Sequence, residues 1–453
     1  MTTPKNEPTS PDLSSGFFVL SLLSLISGAT TGLICAVFRL ALDWANRARD
    51  AFIAVERADH LVGLVLFVSL CAGAAALAAW LVRRFSIHAS GSGIPHVEAE
   101  IQGLAPAPGM LLIPVKFVGG LLAIGAGMVL GREGPSVQMG ASVSRWIGEK
   151  AGRSLTDCRE LLAAGAGAGL ATAFNAPIAG AVFVLEELVQ RFEHRIAILA
   201  LGASASAIAI AHLFIGNTQE FHLHTPNSAP VESLPLFLLM GFIFGGFSIF
   251  YNWTILRTLA LVGGFNQISV EARAALIGAS VALVAWWAPN WVGGGENIAE
   301  NALTHDRLFS QILLLLLLRH VLGALCYAAG TPGGVFAPML ALGALMGLMF
   351  GQLSQYLAPE IFPYPHAFAL VGMTALFSGV TRAPLTGIVL VTEMSANTSM
   401  LLPMLCACFA AMLPPTLAGA TPLYESLRKL TPHYDAEPQN SPSTADMNSA
   451  RIL

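Results

Sequence analysis

Long apolar runs, each closed by polar or glycine- and proline-rich positions, dominate the chain. Runs near the length of a bilayer-spanning helix, about 20 residues, lie at 17–42, 61–82, 110–130, 161–185 and 196–215. They recur at 234–258, 273–288, 311–327, 334–352, 368–392 and 400–420. Gly and Pro interrupt several of them, so the pattern predicts roughly ten or more hydrophobic helical segments, not all of them straight spans. The polar ends, 1–15 and 431–453, read as disordered tails. Between them, 16–430 reads as one transmembrane unit with halves at 16–215 and 234–430.

Composition agrees with an all-α polytopic membrane protein. The 453 residues are 55% hydrophobic and only 11% charged, with a mean hydropathy of +0.67, whereas soluble domains carry roughly 25% charge. A net charge of −4 leaves no basic stripe to track a phosphate backbone, which argues against a nucleic-acid partner. The six cysteines lie mostly inside apolar runs without a CxxC pair and read as buried thiols, not as a disulfide or zinc framework. No HExxH, Walker or dinucleotide-binding spacing occurs, so no enzyme, cofactor or metal is expected. Arg and Lys are scattered over both sets of loops, and their asymmetry does not orient the chain.

The chain repeats itself at a distance of about two hundred residues. APIAGAVFVLEE from Ala176 matches APLTGIVLVTEM from Ala383: each opens on Pro, has Gly three positions later and reaches an acid, Glu186 or Glu393. PSVQMGA from Pro135 and PMLALGA from Pro338 match in the same order. Duplicated halves with discontinuous helices are a habit of transporters, whose ion sites lie where those helices meet.

Three interruptions carry the candidate chemistry: GSGIPHVEAE from Gly91, GREGPSVQMG from Gly131 and GTPGGVFAPMLALG from Gly330. Each reads as a glycine loop turning into a helix, with Pro tolerated in the first turn. A helix N-terminus offers free N–H groups and about half a positive charge, so several converging N-termini would bind a small anion without burying a full cation. Arg132 and Glu133 sit between glycines directly after an apolar run. An intramembrane acid is costly and marks a functional site by default, and neighbours in a helix do not face each other to neutralise that cost. Glu186 and Glu187 end an apolar run, where either could simply mark the membrane boundary.

GSGIP at 91–95, GREGP at 131–135, GGVFAP at 333–338 and PLY at 422–424 together resemble the CLC family of chloride channels and chloride/proton antiporters, over roughly 16–430. The resemblance is to bacterial antiporters without cytoplasmic regulatory domains. It implies two inverted-topology halves of tilted and discontinuous helices. A homodimer in the bacterial inner membrane, with both termini cytoplasmic, is implied as well. It also implies filter loops at Gly91, Gly93, Ile94 and Pro95, at Gly131, Arg132, Gly134 and Pro135, and at Gly333, Gly334 and Pro338. Chloride would be held by the hydroxyls of Ser92 and Tyr424 and by the amides of Val335 and Phe336. Glu133 matches the family's external gating acid, and Glu187 its internal proton-transfer acid, where channel members usually carry a non-ionisable residue. Ser92 accords with chloride preference, since nitrate-preferring members have proline there. His96 and Gln102 stand where related transporters often place acids, and Glu98 with Lys116 is expected as a structural pair. The implied activity is exchange of chloride for protons, with a passive chloride channel of the same pore as the alternative.

Overall fold

The computed structural model describes residues 11–56, 60–217, 221, 230–265, 267–305, 307–357, 359 and 364–430. The expected tails at 1–10 and 431–453 lie outside these residues, and the first helix starts at Pro11, inside the segment expected as a tail. The first half runs α1 (Pro11–Glu56), α2 (His60–Phe85), α3 (Ile94–Ile101), α4 (Leu112–Gly125), α5 (Glu133–Lys150), α6 (Leu155–Phe174), α7 (Pro177–Phe183) and α8 (His194–Ile215). The second runs α9 (Leu234–Gly264), α10 (Val270–Trp287), α11 (Glu296–Thr304), α12 (Phe309–Tyr327), α13 (Phe336–Leu357), α14 (Pro365–Thr381), α15 (Pro384–Ser395) and α16 (Leu401–Leu417), and α17 (Leu423–Leu430) closes the chain. Seven of these helices are long and apolar enough to cross a membrane.

Two expected spans are broken. The run 161–185 divides into α6 and α7, and 368–392 into α14 and α15. At each break a residue in the left-handed conformation, Asn175 (φ 55°) or Arg382 (φ 67°), ends one helix, and Ala-Pro opens the next. Pro lacks the N–H a continuing helix needs, and the preceding residue is steered out of the helical region, so hydropathy runs on while the backbone turns.

The duplication is visible in the packing. Gly28 of α1 approaches α8 so closely that an added Cβ would stand 2.2 Å from the Ala203 carbonyl oxygen. Gly241 of α9 does the same to α16, at 2.2 Å from the Ala407 oxygen. Small residues let helix backbones meet where no hydrophobic effect drives them together.

Two further pairs tie the halves together and fix their loops. Glu186, at the end of the α7 segment, accepts from the N–H groups of Leu385 (3.0 Å) and Thr386 (2.6 Å) at the start of α15. Glu393, on α15, accepts from Ile178 (3.1 Å) and Ala179 (2.7 Å) at the start of α7. Each acid therefore caps the other half's helix, satisfying first-turn amides that have no intrahelical acceptor. Buried Lys116 of α4 donates to the carbonyls of Ala89 (3.1 Å) and Gly91 (2.8 Å) ahead of α3. Buried Arg319 of α12 donates to Trp291 (3.1 Å), Gly293 (3.0 Å) and Gly294 (2.9 Å) ahead of α11. The expected pairing of Glu98 with Lys116 does not form: carbonyls occupy the ammonium, and Glu98 faces Arg428 of α17 at 3.7 Å instead.

Candidate functional site

The three glycine-rich interruptions meet at the centre of the molecule. Gly91 N–H donates to the Thr331 carbonyl (3.0 Å) and Gly333 N–H to the Gly91 carbonyl (3.0 Å). Gly131 and Gly334 exchange both of their hydrogen bonds, at 2.7 and 2.8 Å, as an isolated antiparallel bridge. This cross-bracing brings the starts of α3, α5 and α13 together. Gly93, at φ 84°, precedes α3 in a conformation open to glycine. Gly134 lets α5 lie against Ser92, for a Cβ there would stand 2.6 Å from the serine hydroxyl oxygen. Ile94 and the prolines Pro95, Pro135 and Pro338 are all buried in first turns of these helices.

Three polar groups at this junction are buried without a side-chain hydrogen-bond partner: the hydroxyls of Ser92 and Tyr424 and the carboxylate of Glu133. Ser92 and Tyr424 are each 1% exposed, and Glu133 is 0%. A buried polar group without a partner costs about 1–3 kcal/mol, and more when it is charged, so three at one junction need an explanation. The Glu133 carboxylate folds over Gly131, whose added Cβ would meet Oε2 at 2.0 Å, and lies against the main-chain amide of Ala337 in the first turn of α13. The adjacent buried amides, of Val335 and Phe336, belong to a helix start that lacks intrahelical acceptors. The Phe336 ring is wedged between Phe174 (5.1 Å) and Phe377 (4.5 Å), which fixes the backbone at that point.

Arg132 is bonded to its surroundings on α6 and α11. Its Nε donates to the Ala173 carbonyl at 3.1 Å and stands 3.9 Å from a carboxylate oxygen of Glu296. Tyr424, at the start of α17, lies within electrostatic reach of both Glu133 and Glu187. Glu187 is 7% exposed, in a short π-helical turn at Val184–Leu188, with Glu98, Glu186 and Glu425 as its charged company. The two adjacent glutamates thus part ways: Glu186 is bonded into a helix cap and Glu187 is not.

Two cavities flank the junction. One, of about 530 Å³, is lined by α1, Arg132 and the Gly293–Ile298 segment. The other, of about 540 Å³, reaches Gly91, Ser92, His96 and Tyr327. His96 is buried against His88, ring centroids 4.6 Å apart, with Glu100 at 3.9 Å. Gln102, which stands where related transporters often place an acid, accepts from Arg428 and so docks α17, which carries Tyr424, onto α3, which follows Ser92. Tyr327 was not legible beforehand: its hydroxyl lies 3.3 Å from where a Cβ on Gly91 would stand. The clamping roles of Lys116 and Arg319 and the position of Glu296 were likewise unmarked by any motif.

Residues 73–414 match the family described as voltage gated chloride channel. The chain is 38% identical to the H(+)/Cl(-) exchange transporter ClcA of Klebsiella pneumoniae over 418 residues, covering 90% of this chain and 88% of that one. It is 37% identical to the ClcA of Salmonella paratyphi B over 436 residues, 93% of this chain and 92% of that one. Among solved structures, a slow cyanobacterial Cl-/H+ antiporter superposes with a TM-score of 0.88 at 30% identity, covering 91% of this chain and 97% of the other. A CLC-type fluoride/proton antiporter shares the fold, with a TM-score of 0.75. Residues, architecture and relatives agree: the chain is a multi-pass membrane protein of the voltage-gated chloride channel (CLC) family.

Proposed function

We propose that this protein is a chloride/proton antiporter in which one side chain, Glu133, competes with chloride for an electropositive junction. The observation that carries this reading is the set of three buried polar groups, Ser92, Tyr424 and Glu133, with no side-chain partner where the starts of α3, α5 and α13 meet. Two hydroxyl donors and the amides of Val335 and Phe336 suit a halide, which accepts hydrogen bonds and donates none. A carboxylate is also an anion. Folded over Gly131 against the α13 N-terminus, Glu133 takes the kind of place a chloride would take.

A proton arriving on Glu133 removes its charge and its attraction to those amides. The neutral side chain can then give way, and chloride enters. Loss of the proton restores the competition, so each swing of one side chain links an anion's passage to a proton's. Glu187 is the inner acid of this scheme, exchanging protons between the inner solution and Glu133 past Tyr424. The relatives are named as chloride/proton exchangers, which favours exchange over passive conduction.

The setting we infer is a bacterial inner membrane, as a homodimer. Support for a second copy comes from α7 and α15, of 7 and 12 residues, too short to span. Their capped N-termini carry Ile178 and Leu385, 54% and 56% exposed. Helix ends at membrane depth need cover from protein or a water-filled cavity.

Reversal potentials of reconstituted protein under a proton gradient test the function. An antiporter's reversal potential moves with the proton gradient, and one fixed at the chloride equilibrium potential would make the protein a channel.

A further inference from the structure

The two halves place the same local architecture at opposite cavities, but with different chemistry. In the first half a cation on α4, Lys116, clamps the loop Gly91-Ser92-Gly93 that opens α3 at Ile94. In the second, Arg319 on α12 clamps Gly293-Gly294-Gly295, which opens α11 at Glu296. Glu296 therefore stands where the first half has Ile94. Both positions directly follow a left-handed glycine, Gly93 at φ 84° and Gly295 at φ 109°. A clamped glycine loop holds the residue after it in place, so this acid is aimed, not trailing on a flexible surface.

Its surroundings connect it to the gate. Glu296 and Arg132 both line the cavity of about 530 Å³. One of its oxygens lies 3.9 Å from Arg132 Nε, and its side chain is 26% exposed, while Glu133, the next residue after Arg132, is 0% exposed. Glu133 and Glu296 are within electrostatic reach of each other. On the α1 wall of the cavity stand Arg39, Arg47 and Arg49 with Asp43 and Asp50, and Asp50 pairs with Arg49 at 3.0 Å. From the other packed elements the charged groups are Arg319 of α12, Glu300 further along α11 and, on α14, His366, which sits against the Ala302 carbonyl at the far end of α11. Helix α13 brings no charge. In this mouth of mixed charge Glu296 stands beside the gate's own neighbour.

Resting on the assignment of Glu133 as the gate, we propose that Glu296 is a positioning residue for proton entry from this side: its charge sets the proton concentration at which Glu133 yields to chloride. A negative group beside an acid favours the acid's protonated form. It also draws on the Arg132 guanidinium, which would otherwise favour the charged form of Glu133. Both effects act in the same direction, so removing the Glu296 charge makes Glu133 harder to protonate.

The test is chloride turnover in proteoliposomes as a function of pH, with proton flux recorded alongside. The Glu296→Gln variant is expected to move the midpoint of activation to lower pH by roughly half a unit to one unit, a threefold to tenfold loss of rate on the flank of the profile. Its chloride-to-proton ratio should stay unchanged. Glu296→Asp should restore the original midpoint, and in a Glu133→Gln background the Glu296 substitution should have no effect on the profile. An unmoved midpoint, an equal loss at every pH, or a shift that persists without Glu133 overturns the role of Glu296, even where Glu133→Gln is uncoupled as expected. Uphill proton pumping retained by Glu133→Gln itself overturns the gate assignment instead.

Discussion

The first and second halves of the chain differ least where they hold the fold and most at the residues proposed to pass ions. Glu186 caps α15 and Glu393 caps α7. Lys116 and Arg319 clamp equivalent loops. Asn175 and Arg382 turn the chain at equivalent breaks. These features occur twice, so a structural explanation suffices for them. Glu133 begins α5 where Phe336 begins α13, Ser92 stands where the second half has Gly294, and Glu187 where it has Met394. Each of these occurs once, and each is a residue that we propose for the pathway. Duplication supplies a scaffold of opposed helix N-termini, and departures from the duplicate turn it into a directional device.

The comparison can be broken first at Glu133. Glu133→Ala is expected to abolish uphill proton movement altogether while chloride still passes, because nothing titratable then competes for the junction; paired ion-selective electrodes on vesicle suspensions read both. At the inner acid the expected effect is the next largest. Glu187→Gln should lower proton flux by at least about tenfold while chloride flux changes by less than about threefold, since the role we propose for it is to pass protons and not to hold the anion. Equal loss of both fluxes would assign Glu187 to the scaffold.

For the duplicated acids the prediction reverses. Glu186→Gln and Glu393→Gln should each cost about 1.5–3 kcal/mol, the worth of hydrogen bonds to a charged acceptor, seen as a lower unfolding midpoint in detergent. The chloride-to-proton ratio should hold. A changed ratio in either variant would mean that symmetry does not sort structure from function here. The smallest effect is expected for Tyr424→Phe. Loss of one neutral donor to chloride is worth about 0.5–1.5 kcal/mol, a weakening of chloride binding of roughly twofold to tenfold by calorimetry, with coupling retained.

Much of this was legible in the residues, for reasons that differ by element. The filter loops announce themselves because glycine and proline at fixed offsets are required by the turns that start α3, α5 and α13. Glu133 stands out because an acid flanked by glycines after an apolar run has no cheap structural use. The breaks at Asn175-Ala176-Pro177 and Arg382-Ala383-Pro384 were hidden inside apolar runs, since hydropathy averages over a window wider than the turn. The run of α1 on to Glu56 was hidden for the opposite reason, as polar residues past 42 continue a helix that hydropathy would end. The partners of Lys116, Arg319 and Glu186 could not be read at all, because each bond crosses from one element to another that is distant in the sequence. Glu296 carried no motif, and only its placement beside Arg132 distinguishes it from any surface acid.

Simultaneous recording of chloride and proton flux from proteoliposomes bears most directly on the central claim. With an outward chloride gradient and no pH difference, the wild-type protein is predicted to drive protons inward against the gradient they build, and Glu133→Ala to release chloride with no proton movement above leak. Wild-type chloride release without uphill proton movement, or uphill proton movement surviving in Glu133→Ala, would contradict the competition of one carboxylate with chloride for one site.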